Sequence, residues 1–282
     1  MKKLLYIFLA FGLFFSCSEN KDNDLDKENL NGEVKSVYTA SFEAIKKFGE
    51  VTKGNKKWKY DFLSDNETIY DDKGNQIEEA NYDEDGKLTS KWKSKFDDKG
   101  NQIEQSIYDK DGKLTSKWPS KYDDKGNEIE RSRYDKDGEL ISKYKFKYDD
   151  KGNQIEEANY DEDGKLFPKY KYKYDDKGNQ IEWAFYNKDG ELTSKSKYTY
   201  DDKGNQIEEA NYDEDGKLTS KWKSKFDDKG NEIEEADYYN GKLYSKYKYK
   251  YHFDDNKNWI KKIIVKDDKA TFIIEREIEY YN

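Results

Sequence analysis

One cysteine, one histidine and one methionine occur in 282 residues, and only 33% of the chain is hydrophobic. A single cysteine excludes an internal disulfide. A single histidine, His252, set in the strand-like "YKYHFDDN" with no nucleophile beside it, leaves no Ser–His or Cys–His pair for covalent catalysis. With 41% charged residues against so little apolar material, a thick conventional core is excluded as well. The net charge of −9 is spread over Lys interleaved with Asp and Glu, so there is no basic stripe of the kind nucleic acid needs. What the chain does have is aromatic: 26 Tyr within an aromatic share of 16%. Aromatic residues favour pleated, half-buried surfaces, and the material reads as strand rather than helix bundle.

The first seventeen residues, "MKKLLYIFLAFGLFFSC", give an address. Lys2 and Lys3 precede an apolar run from Leu4 to Phe15, the length of a signal-peptide core and short for a membrane span. A small residue, Ser16, then a lone Cys17 resembles the lipobox of bacterial lipoproteins, with Phe14 where Leu is most common. The resemblance implies cleavage before Cys17 and acylation, including palmitate, of its thiol and new amino group. Residues 18–32, "SENKDNDLDKENLNG", have almost nothing apolar to offset ordering entropy and read as a disordered tether. Their acidic residues resemble the stretch after the acylated cysteine in surface-exported lipoproteins of Bacteroidetes-type bacteria. That implies a lipid anchor in the outer membrane of a Gram-negative cell, with the body at the cell surface.

The body repeats. "YDDKGNQIEEANYDEDGKL" stands at 70–88, 148–166 and 200–218, and residues 70–101 and 200–231 are identical. An aromatic followed by Asp-Asp-Lys-Gly-Asn recurs every 26 residues at Tyr70, Phe96, Tyr122, Tyr148, Tyr174, Tyr200 and Phe226, with a decayed copy at Phe253 where Lys257 displaces the Gly. A second phrase, Tyr-Asp-x-Asp-Gly, lies inside most units, as at Tyr82, Tyr108 and Tyr134. Asp followed three residues later by Gly suits a type I turn closing on a left-handed Gly at a bulge, so both phrases are hairpin corners. Between them, Leu88, Ser90, Trp92, Ser94 and Phe96 share one face by strict alternation, and Thr89, Lys91, Lys93 and Lys95 the other. Ile77, five positions from Tyr82, breaks the pattern unless a bulge intervenes once per repeat.

These features predict an all-β fold: an antiparallel β-meander of about sixteen strands built from 26-residue two-strand repeats, as a thin elongated or spirally coiled sheet stabilised by neighbouring repeats. The alternating Tyr-Asp phrases over residues 70–243 resemble the YD repeats of the RHS family, and "YYNGKL" at 238–243 resembles bacterial MORN-type repeats. Both resemblances imply the same strand-corner-strand unit. The organisation expected is a signal peptide at 1–16, acylated Cys17 and tether at 17–32, an N-terminal cap at 33–69, seven repeats at 70–252, and a degenerate repeat with C-terminal cap at 253–282. Within the N-terminal cap, Phe42, Ile45 and Phe48 are also spaced for one or two helical turns.

No catalytic residue, metal site or cofactor is expected. "DEDG" begins like a calcium loop, but counting from Asp83 puts Ser94 where the twelfth-position Glu belongs; turn chemistry alone accounts for Asp and Gly there, the alternative being weak ions shared between corners stacked along one edge. Trp92, Trp118 and Trp222 occupy equivalent positions in three repeats and are the residues to stack on a ligand, or to pack across strands. Two functions follow: a non-catalytic interaction or adhesion module contacting another surface protein through many like units, or a glycan-binding accessory lipoprotein using a Tyr/Trp ladder. The membrane is engaged through the N-terminal lipid.

Overall fold

The computed structural model describes residues 23–56 and 65–281. Cys17 lies outside them. The described residues open with a helical turn, α1 (Asp24–Lys27), then β1 (Val34–Lys47), β2 (Glu50–Lys56) and β3 (Asp65–Tyr70). The repeats supply β4 (Gln76–Tyr82), β5 (Leu88–Phe96), β6 (Gln102–Asp109), β7 (Leu114–Tyr122), β8 (Glu128–Asp135), β9 (Leu140–Tyr148) and β10 (Gln154–Asp161). They continue as β11 (Leu166–Tyr174), β12 (Gln180–Tyr186), β13 (Leu192–Tyr200), β14 (Gln206–Asp213), β15 (Leu218–Phe226) and β16 (Glu232–Tyr239). The chain ends in β17 (Lys242–Phe253), β18 (Trp259–Lys266) and β19 (Lys269–Tyr280).

From β3 to β19 every strand pairs antiparallel with the next, which is the meander that the corners predict. The sheet is not left open as an elongated or coiled ribbon. β1 pairs with β19 on one side, from Val34↔Tyr280 to Glu43↔Phe272, and with β3 on the other, closing an 18-strand barrel. β2 folds back on the far half of β1 as an added nineteenth strand. Phe42 and Ile45 lie within β1, so the alternative of helical turns there is not what forms.

The corners form as their sequence dictates. In the first, Asp71 N–H donates to Asn75 O at 2.9 Å and Gly74 N–H to Asp71 O at 3.0 Å; in the second, Asp83 N–H donates to Lys87 O at 2.8 Å. Gly74 and Gly86 sit at φ 81° and 76°, where a Cβ would be strained, and Lys257 holds the same left-handed region at φ 69° in the decayed copy. The Asp side chains lock the turns: Asp71 Oδ1 accepts from the Asn75 and Lys73 amides at 2.8 and 3.0 Å, and Oδ2 from Asn75 Nδ2 at 2.9 Å.

Two bulges per repeat settle the misfit of Ile77. Ile69 pairs with Glu78 but Tyr70 with Gln76, leaving Ile77 as the extra residue. Asn81 pairs with Ser90 but Tyr82 with Leu88, leaving Thr89 extra. The second bulge alters the expected alternation: Leu88 turns to the side of Tyr82, away from Ser90, Trp92, Ser94 and Phe96.

Closure has its own small core. Residues 23–32, read from composition as the end of a tether, carry α1 with a capping box between Asn23 and Asp26. Leu25 and Leu30 are buried with Val34, Val37 and Tyr70, against Ile278 and Tyr280. Asn31 N–H donates to Asn258 Oδ1 at 2.7 Å, and Asn258 Nδ2 returns to Asn31 O at 2.8 Å, joining the segment before β1 to the decayed corner at one rim.

Candidate functional site: the two walls of the barrel

The outer wall is uniform. Glu78 is held by Lys91 and Lys93 at 2.5 and 3.1 Å, Glu156 by Lys147 and Lys169 at 2.8 and 3.2 Å, and Glu234 by Lys225 and Lys246 at 2.8 and 3.0 Å. Glu104, Glu130, Glu182 and Glu208 repeat the arrangement at 26-residue intervals. Beneath the Lys stems lie Ala80, Ala158, Ala184, Ala210 and Ala236, all buried. Single exposed pairs contribute at most about 1 kcal/mol, so the belt acts as a network that keeps this face wet and in register. A membrane-spanning barrel shows lipid an apolar band, and a belt of Lys and Glu cannot serve as one. Among the described residues no helix is long and apolar enough to cross a membrane.

The inner wall is varied. Where the outer wall repeats Glu78, the neighbouring inward position reads Glu79, Gln105, Arg131, Glu157, Trp183, Glu209 and Glu235. Two residues on it reads Asn81, Ile107, Arg133, Asn159, Phe185, Asn211 and Asp237. Concave geometry draws these side chains together and strips their water. Burial raises the Glu79, Glu157 and Glu209 carboxyls above the usual range, lowers the Lys262 amine, and brings the Arg276 guanidinium down to about 10. The Tyr122, Tyr174 and Tyr200 hydroxyls, pushed up by burial to about 12, donate to Gln102 O, Gln154 O and Gln180 O, all at 2.8 Å.

Trp92, Trp118 and Trp222 all face inward, half-buried. They belong to one circumferential band with Tyr144, Tyr170 and Ser196. Trp92 and Trp118 stand two strands apart, whereas Trp222 is eight strands from either, on the far side of the closed sheet. The three are therefore not one contiguous ladder. Ring stacking gathers instead in two groups on β7–β12: Trp118 stacks on Tyr144 at 5.9 Å, and Tyr170 on Trp183 and Phe185 at 5.5 and 5.3 Å. Trp183 and Phe185 escaped the sequence reading because they break the repeat, and position-by-position comparison of the copies is the signal that finds them.

Cations also stand on this wall. Arg276 lies over Trp259 at 3.6 Å and Lys262 over Tyr249 at 3.9 Å. Arg133 lies over Trp118 at 5.1 Å. His252 is exposed opposite Lys261 on the outer side, apart from this wall. The corner carboxylates face the rims, where Asp83 Oδ1 is engaged by the amides of Asp85 and Lys87 at 3.0 and 2.8 Å.

Among solved structures, the chain is similar to a porin-like protein from Bacteroides uniformis ATCC 8492, with TM-score 0.42, 11% identity, and 88% of this chain and 98% of that one covered. A porin-like protein from Bacteroides vulgatus ATCC 8482 aligns with TM-score 0.38 and 10% identity over 88% of this chain and 99% of that one. A Photorhabdus luminescens Tc holotoxin pore aligns with TM-score 0.24 and 10% identity over 74% of this chain and 19% of that one. No curated protein sequence matches the chain. A family model described as "Uncharacterised protein" matches residues 121–278, more than half of the 282 residues, and the chain belongs to that family.

Proposed function

We propose that this protein is a non-catalytic binding lipoprotein, anchored in the outer membrane through Cys17 and displayed at the cell surface, whose inner wall binds glycan. The observation that carries the reading is the division of labour between the walls: side chains that differ from repeat to repeat gather on the inner face with the aromatic band, while the outer face repeats one Glu–Lys pattern. Eighteen strands fall in the size range that leaves a water-filled interior in membrane barrels. All five Trp among the described residues are only half-buried, which leaves ring surface for sugar stacking. Tested against a glycan array, the acylated full-length protein in detergent is expected to bind a defined set of glycans, and the Trp92→Ala/Trp118→Ala variant to lose them. An array without binders would remove this reading. Cys17→Ala is expected to lose its acyl label and leave the membrane fraction; unchanged membrane recovery would refute the anchor.

A second reading, docking to another surface protein, is favoured by one feature. Phe48, Phe167, Tyr239, Leu243 and Tyr244 are exposed at the rim opposite the N-terminal segment, Phe48 and Tyr244 at 105% and 81%. If that rim is the working surface, Phe48→Ser/Tyr244→Ser abolishes cell attachment while glycan binding stays intact.

A further inference from the structure

Among the described residues, the buried side-chain polar atoms without a hydrogen-bond partner are Arg133 Nε, Asn159 Oδ1 and Arg276 Nε. All three stand on the inner wall. Buried donors and acceptors are nearly always satisfied, and leaving one unmade is costly, so orphans confined to the wall proposed to bind ligand are informative. Resting on that glycan reading, we propose that Arg133 and Arg276 are carboxylate-binding subsites and that the ligand class is an acidic, uronate-bearing glycan chain.

The Arg133 subsite is built around stacked rings. Trp118 lies under the Arg133 guanidinium at 5.1 Å and stacks on Tyr144 at 5.9 Å with an interplanar angle of 29°. Tyr144 pairs on its two sides with Arg131 of β8 and Asn159 of β10. A sugar ring seated on Trp118 and Tyr144 would place a carboxylate against the planar guanidinium fork, which matches it in two hydrogen bonds, and a hydroxyl against the Asn159 amide. Arg131 provides the contrast. Two residues away, its Nε and Nη2 are taken by Glu128 at 2.8 and 2.5 Å, whereas among the described residues no carboxylate pairs with Arg133. Arg133 is also the only arginine at its repeat position among the seven copies, so turn and strand requirements do not call for it.

The Arg276 subsite has the same form with different rings. Its guanidinium lies over Trp259, in a copy where Trp stands in place of the Gln or Glu of the others, and Lys262 stands near it. The carboxylates facing these cations are Glu28, Glu232 and Glu235. Glu235 is engaged by the Tyr249 hydroxyl and Glu232 by the Ser224 hydroxyl; Glu28 is the carboxylate whose charge bears most on Arg276, and among the described residues none of the three forms an ion pair with Arg276 or Lys262. β8 and β19 are seven strands apart around the sheet, on the order of 34 Å at the usual strand spacing. Two subsites so far apart suit separate residues of one acidic chain rather than a single sugar.

The test titrates the acylated full-length protein in detergent with oligogalacturonate and with a neutral malto-oligosaccharide of equal length. The acidic chain is expected to bind, and Arg133→Gln and Arg276→Gln each to weaken it at least tenfold, with Arg133→Lys partly restoring affinity. Lys93→Gln/Lys95→Gln on the outer wall is expected to change nothing. Far-UV circular dichroism of each variant excludes unfolding as the cause, and Arg133→Lys keeps the charge if Arg133→Gln fails to fold. Unchanged affinity in both arginine variants overturns the subsites, and so does equal weakening by the outer lysine variant. Equal binding of the neutral chain, independent of either arginine, overturns the acidic assignment while the glycan reading stands. Binding of neither chain brings down both.

Discussion

The Tyr148 hydroxyl donates to the backbone carbonyl of Glu128, twenty residues back, at 2.8 Å. The same rung joins Tyr122 to Gln102, Tyr174 to Gln154 and Tyr200 to Gln180, reaching each time to the strand just beyond the preceding corner. It ties the aromatic that opens one repeat to the backbone of the unit before it, on the inner wall near the rim. This explains why the position is Tyr in most copies, and why Phe96 and Phe226 mark units without the bond.

Tyr148→Phe keeps the ring and removes the donor, leaving the Glu128 carbonyl short of a partner. The expected loss is about 1 kcal/mol, with a fall in Tm of a few degrees at most. Thermal melts by circular dichroism check it. Phe226→Tyr is expected to move Tm the other way if its hydroxyl finds the Gln206 carbonyl, and a Tm for Tyr148→Phe equal to that of the parent would show the rung to be idle.

Stability should pass through a maximum in mild acid. Burial raises Glu79, Glu157 and Glu209, so their ionised forms oppose folding at neutral pH. As pH falls through those raised values toward the unfolded value of about 4.3, the folded state takes up protons first and gains stability. Corner aspartates behave oppositely. The hydrogen bond from Asn127 lowers Asp123, the one from Asn205 lowers Asp201, and backbone amides lower Asp109 and Asp135. Their contribution is complete above the unfolded value of about 3.9 and is lost as pH falls through their lower folded values. Tm is therefore expected to rise from pH 7 toward roughly pH 4.5 and to drop steeply below roughly pH 3.5. Glu157→Gln, which can still accept from the Tyr172 hydroxyl at 3.2 Å, is expected to raise Tm at pH 7 and flatten the climb. A Tm that only falls between pH 7 and pH 5 would contradict this assignment.

The corners were legible in the sequence because their chemistry is local: Asp83, Gly86 and Lys87 lie within five residues and carry the turn, its bulge and its side-chain lock. Strand content followed from the same local signals. The faces were only partly legible. Alternation counted through Leu88 groups it with Trp92, and nothing in "KLTSKW" announces that Thr89 is bulged out; that depends on the partner strand. Closure was illegible for a different reason. Val34–Glu43 and Phe272–Tyr280 share no repeat phrase, and their pairing is a contact across nearly the whole chain. Arg133 and Arg276 were missed because an Nε left without a hydrogen bond is a property of the folded wall, whereas Trp92, Trp118 and Trp222 stood out by recurring.

Closure sharpens what repetition permits. In a closed antiparallel meander the strand number must be even, or the first and last strands meet in parallel. Excising residues 96–121 joins Lys95 to Tyr122, which replaces Phe96 at the corner, and removes β6 and β7 together. Sixteen strands remain, the Glu–Lys belt stays in register, and the diameter falls by about one-ninth because it scales nearly linearly with strand number. This variant is expected to fold with a cooperative melt and a smaller radius in solution scattering. Excising only 96–108 joins Lys95 to Asp109 and removes β6 alone, so every later strand is reversed, the two kinds of corner exchange rims, and β19 arrives at β1 in the wrong direction. That variant is expected to aggregate or be degraded. If the 26-residue excision unfolds the barrel as thoroughly as the 13-residue one, the 18-strand circumference is itself required, and the bore of this barrel cannot change by whole repeats.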